Sequence, residues 1–374
     1  MLITAIVFIL ILSVLVLIHE FGHFFMAKKF NIKVEEFGFG LPPRAFGIKR
    51  GETVYSINWL PIGGFVKLYG EDEAGSGSVK KPSATSHKQL ADVDRTYFAK
   101  PAWQRAIVVG AGVVMNFFLA LVIISYLFSI VGVPRPGDKI FISEVADNSP
   151  ARAAGLKKGD VIKIINGKKI TTSQDLVSIT KQNAGKKITL TVERARGEIR
   201  KIEVTPRKDY PKDQGPMGVL IAQDVKVVKY PWYQAPVVGT VETLKQTWMI
   251  LSGFGMIFSQ LLIQGTAPQG VAGPVGIAQL TGQILEIGPY AILSFVALLS
   301  LNLAILNIMP FPALDGGRLL FIFVEIATGR KVNKKFESYA HAIGMMILLG
   351  LIALVTFHDI FRLATGQPLL PKIQ

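Results

Sequence analysis

The chemistry open to this 374-residue chain is narrowed by five histidines, by the absence of cysteine and by one pentapeptide. His19-Glu20-Phe21-Gly22-His23 spaces two imidazoles at i and i+4, so on a helix both lie on one face with a carboxylate beside the first. Two such imidazoles can hold a metal while the carboxylate takes a proton from a metal-bound water. A chain of this composition is expected to show the pattern by chance roughly 0.005 times. With no cysteine, a disulfide framework, a thiolate metal site and a thiol nucleophile are all excluded, so any metal rests on histidine and carboxylate. A hydrolytic zinc site wants three protein ligands and one open position, so a third ligand must come from elsewhere. Asp315 and His341 both lie at a suitable depth. Asp315 sits in Asn307-Ile-Met-Pro-Phe-Pro-Ala-Leu-Asp315-Gly-Gly-Arg318, where two prolines break a helix and two glycines allow close backbone approach. His87, in a stretch rich in Ser, Gly, Lys and Asp, reads as a solvated side chain.

The elements that must position these groups are apolar. Residues 2–18 carry no charge and the apolar run continues past the histidines to Ala27, long enough at 1.5 Å per residue to cross a bilayer core. No basic start and no small-residue cleavage site accompany it, so it is expected to stay as an uncleaved transmembrane helix. Uncharged stretches at 106–133, 287–314 and 338–357 predict three further spans. The apolar part of 246–285, Trp248 to Ile263, is only 16 residues long and suggests an interfacial or re-entrant segment. His19 falls about 26 Å along the first span, towards the end where the third span also finishes.

Half of the chain is hydrophobic and the mean hydropathy is +0.41, yet Lys and Arg number 41 against 26 Asp and Glu. That combination excludes a disordered basic tail and an ordinary soluble enzyme. Thirteen basic residues lie between Lys28 and Arg105 and five between Asp315 and Glu337, which predicts both loops to be cytoplasmic. The termini and the long segment 134–245, with 21 basic residues, are then expected on the extracytoplasmic side, beside anionic headgroups. No nucleic-acid partner is needed to explain the net charge of +15.

Between the second and third spans, residues 140–207 read as short strands and turns with an amphipathic stretch at 173–182, a compact α+β module. Its string Ser149-Pro-Ala-(x)₃-Gly155-Leu-(x)₂-Gly159-Asp-Val-Ile-(x)₃-Asn166-Gly167 resembles the PDZ domains of bacterial envelope proteases, which take an extended peptide at a sheet edge. On the other side, 38–43 reads as a turn and 52–60 and 63–69 as strands, with Tyr55, Ile57 and Trp59 on one face and Ser56 and Asn58 on the other. A lone hairpin is marginal in water, so this one is expected to lean on the membrane or the spans. Residues 71–96 read as a flexible linker. The domain plan is therefore 1–27, first span with the His-Glu motif; 28–101, cytoplasmic loop with hairpin and linker; 102–133, second span; 134–209, PDZ module; 210–286, connector; 287–314, third span; 315–337, cytoplasmic loop; 338–374, fourth span and tail.

His-Glu-Phe-Gly-His, Pro61-Ile-Gly-Gly-Phe-Val66, Phe98-(x)₂-Pro-(x)-Trp-(x)-Arg105, the PDZ string, Gly273-Pro-Val-Gly-Ile277 and Asn-(x)₂-Pro-(x)-Pro-(x)-Leu-Asp-Gly-Gly occur in an order that resembles the site-2 protease family, and within it the bacterial RseP and RasP type. The resemblance spans nearly the whole chain. It implies a polytopic α-helical membrane protein of four transmembrane helices with an inserted PDZ domain and a membrane-associated β-hairpin. It further implies one zinc ion held by His19, His23 and Asp315, with Glu20 as general base. The hairpin, with Gly63, Gly64 and Phe65, would offer an edge strand to substrate, and Asn302 and Asn307 would clamp it; helix-to-helix hydrogen bonding is the other reading of these asparagines. Two departures stand out: Val113 replaces a frequent proline, leaving Asn116 without an assigned role, and there is one PDZ where Gram-negative members have two.

The expected function is intramembrane cleavage of single-pass membrane proteins, such as anti-sigma factors or signal-peptide remnants, in the bacterial cell membrane, with the active site towards the cytoplasm. A peptide or a substrate ectodomain would occupy the PDZ module. Two rivals are a non-catalytic PDZ-bearing membrane receptor or scaffold with a structural zinc site, and a prenyl-protein protease, whose third ligand would be a Glu in a second motif that the sequence lacks.

Overall fold

The computed structural model describes residues 2–71, 93–194, 197–211, 214–264 and 272–366. The chain divides into two compact units, Met1–Val131 joined with Pro231–Gln374, and Gly132–Tyr230. His87 and most of the expected linker lie outside the described residues.

Four helices of the first unit are long and apolar enough to cross a membrane: α1 (Leu2–Lys29), α2 (Ala102–Ile130), α7 (Pro289–Ile308) and α9 (Lys334–Ala364). Their outward residues are nearly all apolar, and what joins them is small residues and a few internal hydrogen bonds, the pattern expected where lipid offers no hydrophobic drive between helices. A Cβ on Gly22 would stand 2.3 Å from the Ala111 carbonyl oxygen, so α1 and α2 touch backbone to backbone. Ser300 Oγ donates to the Asn116 carbonyl at 2.7 Å, tying α7 to α2. The 248–263 stretch is part of one continuous 30-residue helix, α5 (Ala235–Gln264), seated on α2 where Gly239 meets Ser125. α6 (Pro274–Ile287) runs into α7 through Gly288 and rests on α1, Gly282 facing Thr4. Residues 315–337 are not a plain loop, since Asp315 opens the amphipathic helix α8 (Asp315–Thr328), which buries Leu319 and Ile322. Fourteen residues cannot span a bilayer, and the Leu-Asp-Gly-Gly turn reads as loop when taken alone.

The hairpin is built from β1 (Val34–Arg50) and β2 (Thr53–Leu68), longer strands than the alternation predicts. Residues 38–43, read as a turn, are the bend of β1, with Gly40 at φ 80°. Bending lets β1 residues 36–39 pair with both 54–57 and 64–67 of β2, while 44–50 pairs with 53–58. The faces are those expected, but the polar one, Ser56 and Asn58, is inside, with Asn58 Nδ2 donating to the Gly40 carbonyl at 3.0 Å; at the start of β2 the buried Thr53 Oγ1 donates to the Val34 carbonyl at 2.9 Å. Tyr55, Ile57 and Trp59 face out. Glu52 in the tight turn receives Arg95 and Lys28, the latter from the last turn of α1. These bonds, Arg95 foremost, pull its carboxyl down to about 2.

The second unit is a six-stranded sheet ordered β7–β6–β4–β3–β8, with the two-residue β5 (Lys168–Lys169) on β4. Its strands are β3 (Val133–Val145), β4 (Val161–Ile165), β6 (Ile188–Glu193), β7 (Ile199–Val204) and β8 (Val219–Val228). Helices α3 (Pro150–Ala153) and α4 (Ser173–Gln182) complete it. α4 occupies the expected amphipathic stretch because Thr172 and Asp175 cap it reciprocally. Ile140, Ile162, Ile165, Ile188, Leu190 and Val192 form a dry core. β8 lies in the segment expected as connector, and its pairing with β3 carries this unit on to Tyr230.

Candidate metal centre and active site

α1 holds His19 and His23 one turn apart on its inner face, both almost fully buried, because Gly112 of α2 leaves room for them. A Cβ on Gly112 would be 2.5 Å from His23 Nε2, so any larger residue there would occupy the space between the rings. Residues 309–314 then bring Asp315 in at the head of α8. Its Oδ2 lies 2.9 Å from His19 Nε2 and 3.3 Å from His23 Nε2, and the two imidazole nitrogens are 3.1 Å apart. Ligand atoms on a tetrahedral zinc, with bonds of about 2.0–2.1 Å, stand about 3.3 Å from one another. Among the described residues this is the group of histidines and carboxylates whose ligand atoms converge.

Hydrogen bonds behind the rings suit that role. His23 Nδ1–H donates to the Val108 carbonyl at 2.8 Å, which leaves Nε2 as the lone pair facing the centre. Asn116 reaches His19 Nδ1 at 3.3 Å, and its Oδ1 takes no partner as the amide stands. Turned over, that amide would accept from Nδ1–H and free the Nε2 lone pair of His19 as well. Asp315 Oδ2 is buried with no hydrogen bond beyond the two imidazoles, a costly state for a carboxylate oxygen that a cation would relieve. Two imidazoles and one carboxylate oxygen therefore fit a zinc ion with a position left over for water.

Glu20, adjacent to His19, points to the sheet, where its Oε2 accepts the Val66 N–H at 3.1 Å. Glu20, His23, Asp315, Phe65, Val66 and His341 are among the residues lining one cavity of about 650 Å³. Of the sheet residues expected to meet substrate, Phe65 lines this cavity, Gly64 sits against Leu17 and Glu20, and Gly63 beside Val16. Asn307 Nδ2 is 3.4 Å from His19 Nε2, at the centre. Asn302 is not brought in: its Nδ2 donates to the Leu298 carbonyl of its own helix at 2.9 Å. His341, weighed as a third ligand, turns instead to the Ala313 amide. Val108 and Gly112 were not legible as site residues, because a backbone carbonyl and a gap leave no spacing pattern on the chain, and Asn116, singled out by the resemblance without a role, here reaches His19.

Comparison with known proteins gives the family. The model of peptidase family M50 matches residues 7–351. The regulator of sigma-W protease RasP of Bacillus subtilis is 32% identical over 428 residues, 96% of this chain and 99% of that one. Zinc metalloprotease RasP of Geobacillus kaustophilus is 33% identical, covering 94% and 96%. A solved PDZ domain of the SdrC-like protein of Listeria monocytogenes covers 24% of this chain and 94% of its own at 20% identity, with a TM-score of 0.21. The chain belongs to peptidase family M50 and is a zinc metalloendopeptidase of the site-2 protease type.

Proposed function

We propose that this zinc metalloprotease cuts single-pass membrane proteins within the bilayer, with His19, His23 and Asp315 holding one zinc ion and Glu20 moving the proton. The convergence of three ligand atoms, two of them on an apolar helix long enough to cross a membrane, carries the reading, because ionisable residues inside such a helix are costly unless they work. Zinc, when bound, polarises the scissile carbonyl and makes water a nucleophile at neutral pH. Glu20 takes the proton of the attacking water and returns it to the leaving amine. The Val66 N–H now on Oε2 fixes that carboxylate beside the sheet residues that line the cavity. A substrate helix must unwind to be cut, and the extended stretch would add to the sheet along 64–67, with Asn307 close to the reacting carbonyl.

The outward Tyr55, Ile57 and Trp59 would rest in lipid on the cytoplasmic side, while Gly132–Tyr230 works outside the cell as a PDZ module that binds a peptide or the substrate ectodomain. The name of the Bacillus subtilis relative, a regulator of sigma-W, makes anti-sigma-factor-like proteins the first substrates to try. A non-catalytic scaffold would close the fourth zinc position, and no fourth histidine or carboxylate joins the group among the described residues. In detergent, Glu20→Gln should keep its zinc and lose cleavage of a single-span substrate by at least about 10²-fold; undiminished turnover would sink the assignment. Asp315→Asn should lower zinc content. Labelling single-cysteine variants from each side tests the topology, on a chain with no cysteine of its own.

A further inference from the structure

His341 is nearly buried on α9, away from the converging ligands, and neither the family pattern nor the reaction gives it a task. Its surroundings do. The loop from Met309 to Leu314 is irregular backbone among apolar helices, where each N–H must find a partner within the protein. Pro310 and Pro312 have no N–H to satisfy. Those of Met309, Phe311 and Leu314 bond to the carbonyls of Leu306, Met309 and Phe311. The fourth, Ala313 N–H, leaves the loop and donates to His341 Nδ1 at 2.9 Å. Ala313 is also the residue under strain, a non-glycine at φ 83°, a conformation an L-residue keeps when its surroundings hold it there. Asp315 follows two residues later.

One turn along α9 a second contact closes on the same loop. Gly344 lies so near Pro312 that a Cβ there would stand 2.5 Å from the Pro312 carbonyl oxygen, a backbone atom that cannot swing aside. The His341 ring meets Phe321 edge-on, with centroids 5.6 Å apart, and Phe321 belongs to the helix that Asp315 begins. α9 thus grips both the segment before Asp315 and the helix after it.

We propose that His341 is a positioning residue for the metal centre: by accepting the Ala313 N–H it holds the 309–314 loop in its strained form and so aims the Asp315 carboxylate at His19 and His23. This rests on the reading of Asp315 as a zinc ligand. The imidazole acts as an acceptor at Nδ1, which defines the tautomer with the proton on Nε2. The grip is a contact between the last span and the centre, so the last span contributes to zinc binding without supplying a ligand.

The test measures zinc dissociation by chelator competition, together with kcat and KM on a single-span substrate, for the full-length protein in detergent. His341→Leu removes the acceptor; His341→Asn keeps one near the Nδ1 position. His341→Leu should weaken zinc binding by about 10- to 100-fold and lower kcat with little change in KM, and His341→Asn should recover most of both. Wild-type zinc affinity and kcat in His341→Leu would overturn the proposal, as would an asparagine variant no better than leucine. Should His341→Leu fail to fold, Gly344→Ala decides: weakened zinc binding supports the grip, and unchanged affinity overturns it. Asp315→Asn is measured in parallel. If it binds zinc as the wild type does, the ligand assignment itself fails; if it loses zinc while His341→Leu keeps it, the positioning role alone fails.

Discussion

The two sheets of this protein are inverted relative to each other. In Gly132–Tyr230, strands β4 and β6 turn Ile162, Ile165, Ile188, Leu190 and Val192 inwards and send Lys163 and Glu193 out. In the β1–β2 sheet, Ser56 and Asn58 are the buried face, while Trp59 is 72% exposed beside Ile57 and Tyr55. β6 and the 55–59 stretch of β2 both alternate with period two, and what differs is the kind of side chain that is buried. A dry apolar core follows from water outside. A polar interior, here with Asn58 Nδ2 donating to the Phe39 and Gly40 carbonyls, suits a strand whose outer neighbour is lipid or another apolar chain. The lesson extends to the proposed metal centre, where buried His19 and His23 with half-buried Asp315 are the same inversion carried to ionisable groups.

The comparison can be broken or sharpened in four steps of decreasing effect. Leu190→Ala removes part of the dry core and should destabilise Gly132–Tyr230 by about 2–5 kcal/mol, measured by thermal unfolding of the full chain in detergent. A loss under about 1 kcal/mol would mean that this core is not what holds the unit. In the other sheet, Asn58→Ala leaves the Phe39 and Gly40 carbonyls without their buried donor and should cost about 1–3 kcal/mol. If instead that variant is as stable as the parent, the polar interior is decoration. Trp59→Phe should leave stability within about 0.5 kcal/mol yet reduce the share of tryptophan emission quenched by brominated lipid in vesicles; an unchanged share would show that this face does not meet lipid. The smallest effect is at Glu52, whose carboxyl is held down to about 2 from an ordinary value of 4.5. A depressed acid stabilises the fold above its unfolded value and ceases to as pH falls through its folded value. Glu52→Gln should therefore be somewhat less stable than the parent at neutral pH, with the difference shrinking between about pH 4.5 and pH 2. A gap that stays constant over that window would separate the bonds to Arg95 and Lys28 from the acid response.

Much of the site was readable from local spacing. The i and i+4 histidines dictate a shared helix face, the uncharged stretches dictate spans, and the amphipathic pattern at 173–182 predicts α4. What escaped did so for identifiable reasons. β8 reads as connector because Val219–Val228 becomes a strand by pairing with β3, over 70 residues away in sequence. The bend at 38–43 looks like a turn because the pairing of 36–39 with two separate parts of β2 is a property of the folded sheet. α8 hides behind the Gly-Gly of its first turn and a length too short to register as a span.

The sequence alone determined the chemistry of the centre: two imidazoles and a carboxylate at helical spacing, no thiols, and apolar helices to surround them. It left Asp315 and His341 as candidates for the third ligand, since each stands near the end of a span. The family resemblance favours Asp315, and the tertiary structure supports that proposal, with Asp315 Oδ2 at 2.9 Å from His19 and His341 turned to the backbone behind it. A metal site is a meeting of atoms within a few ångströms, and elements far apart in the chain reach that precision through packing alone, here where Gly22 and Gly344 let backbones come close and Gly112 leaves room for the imidazoles.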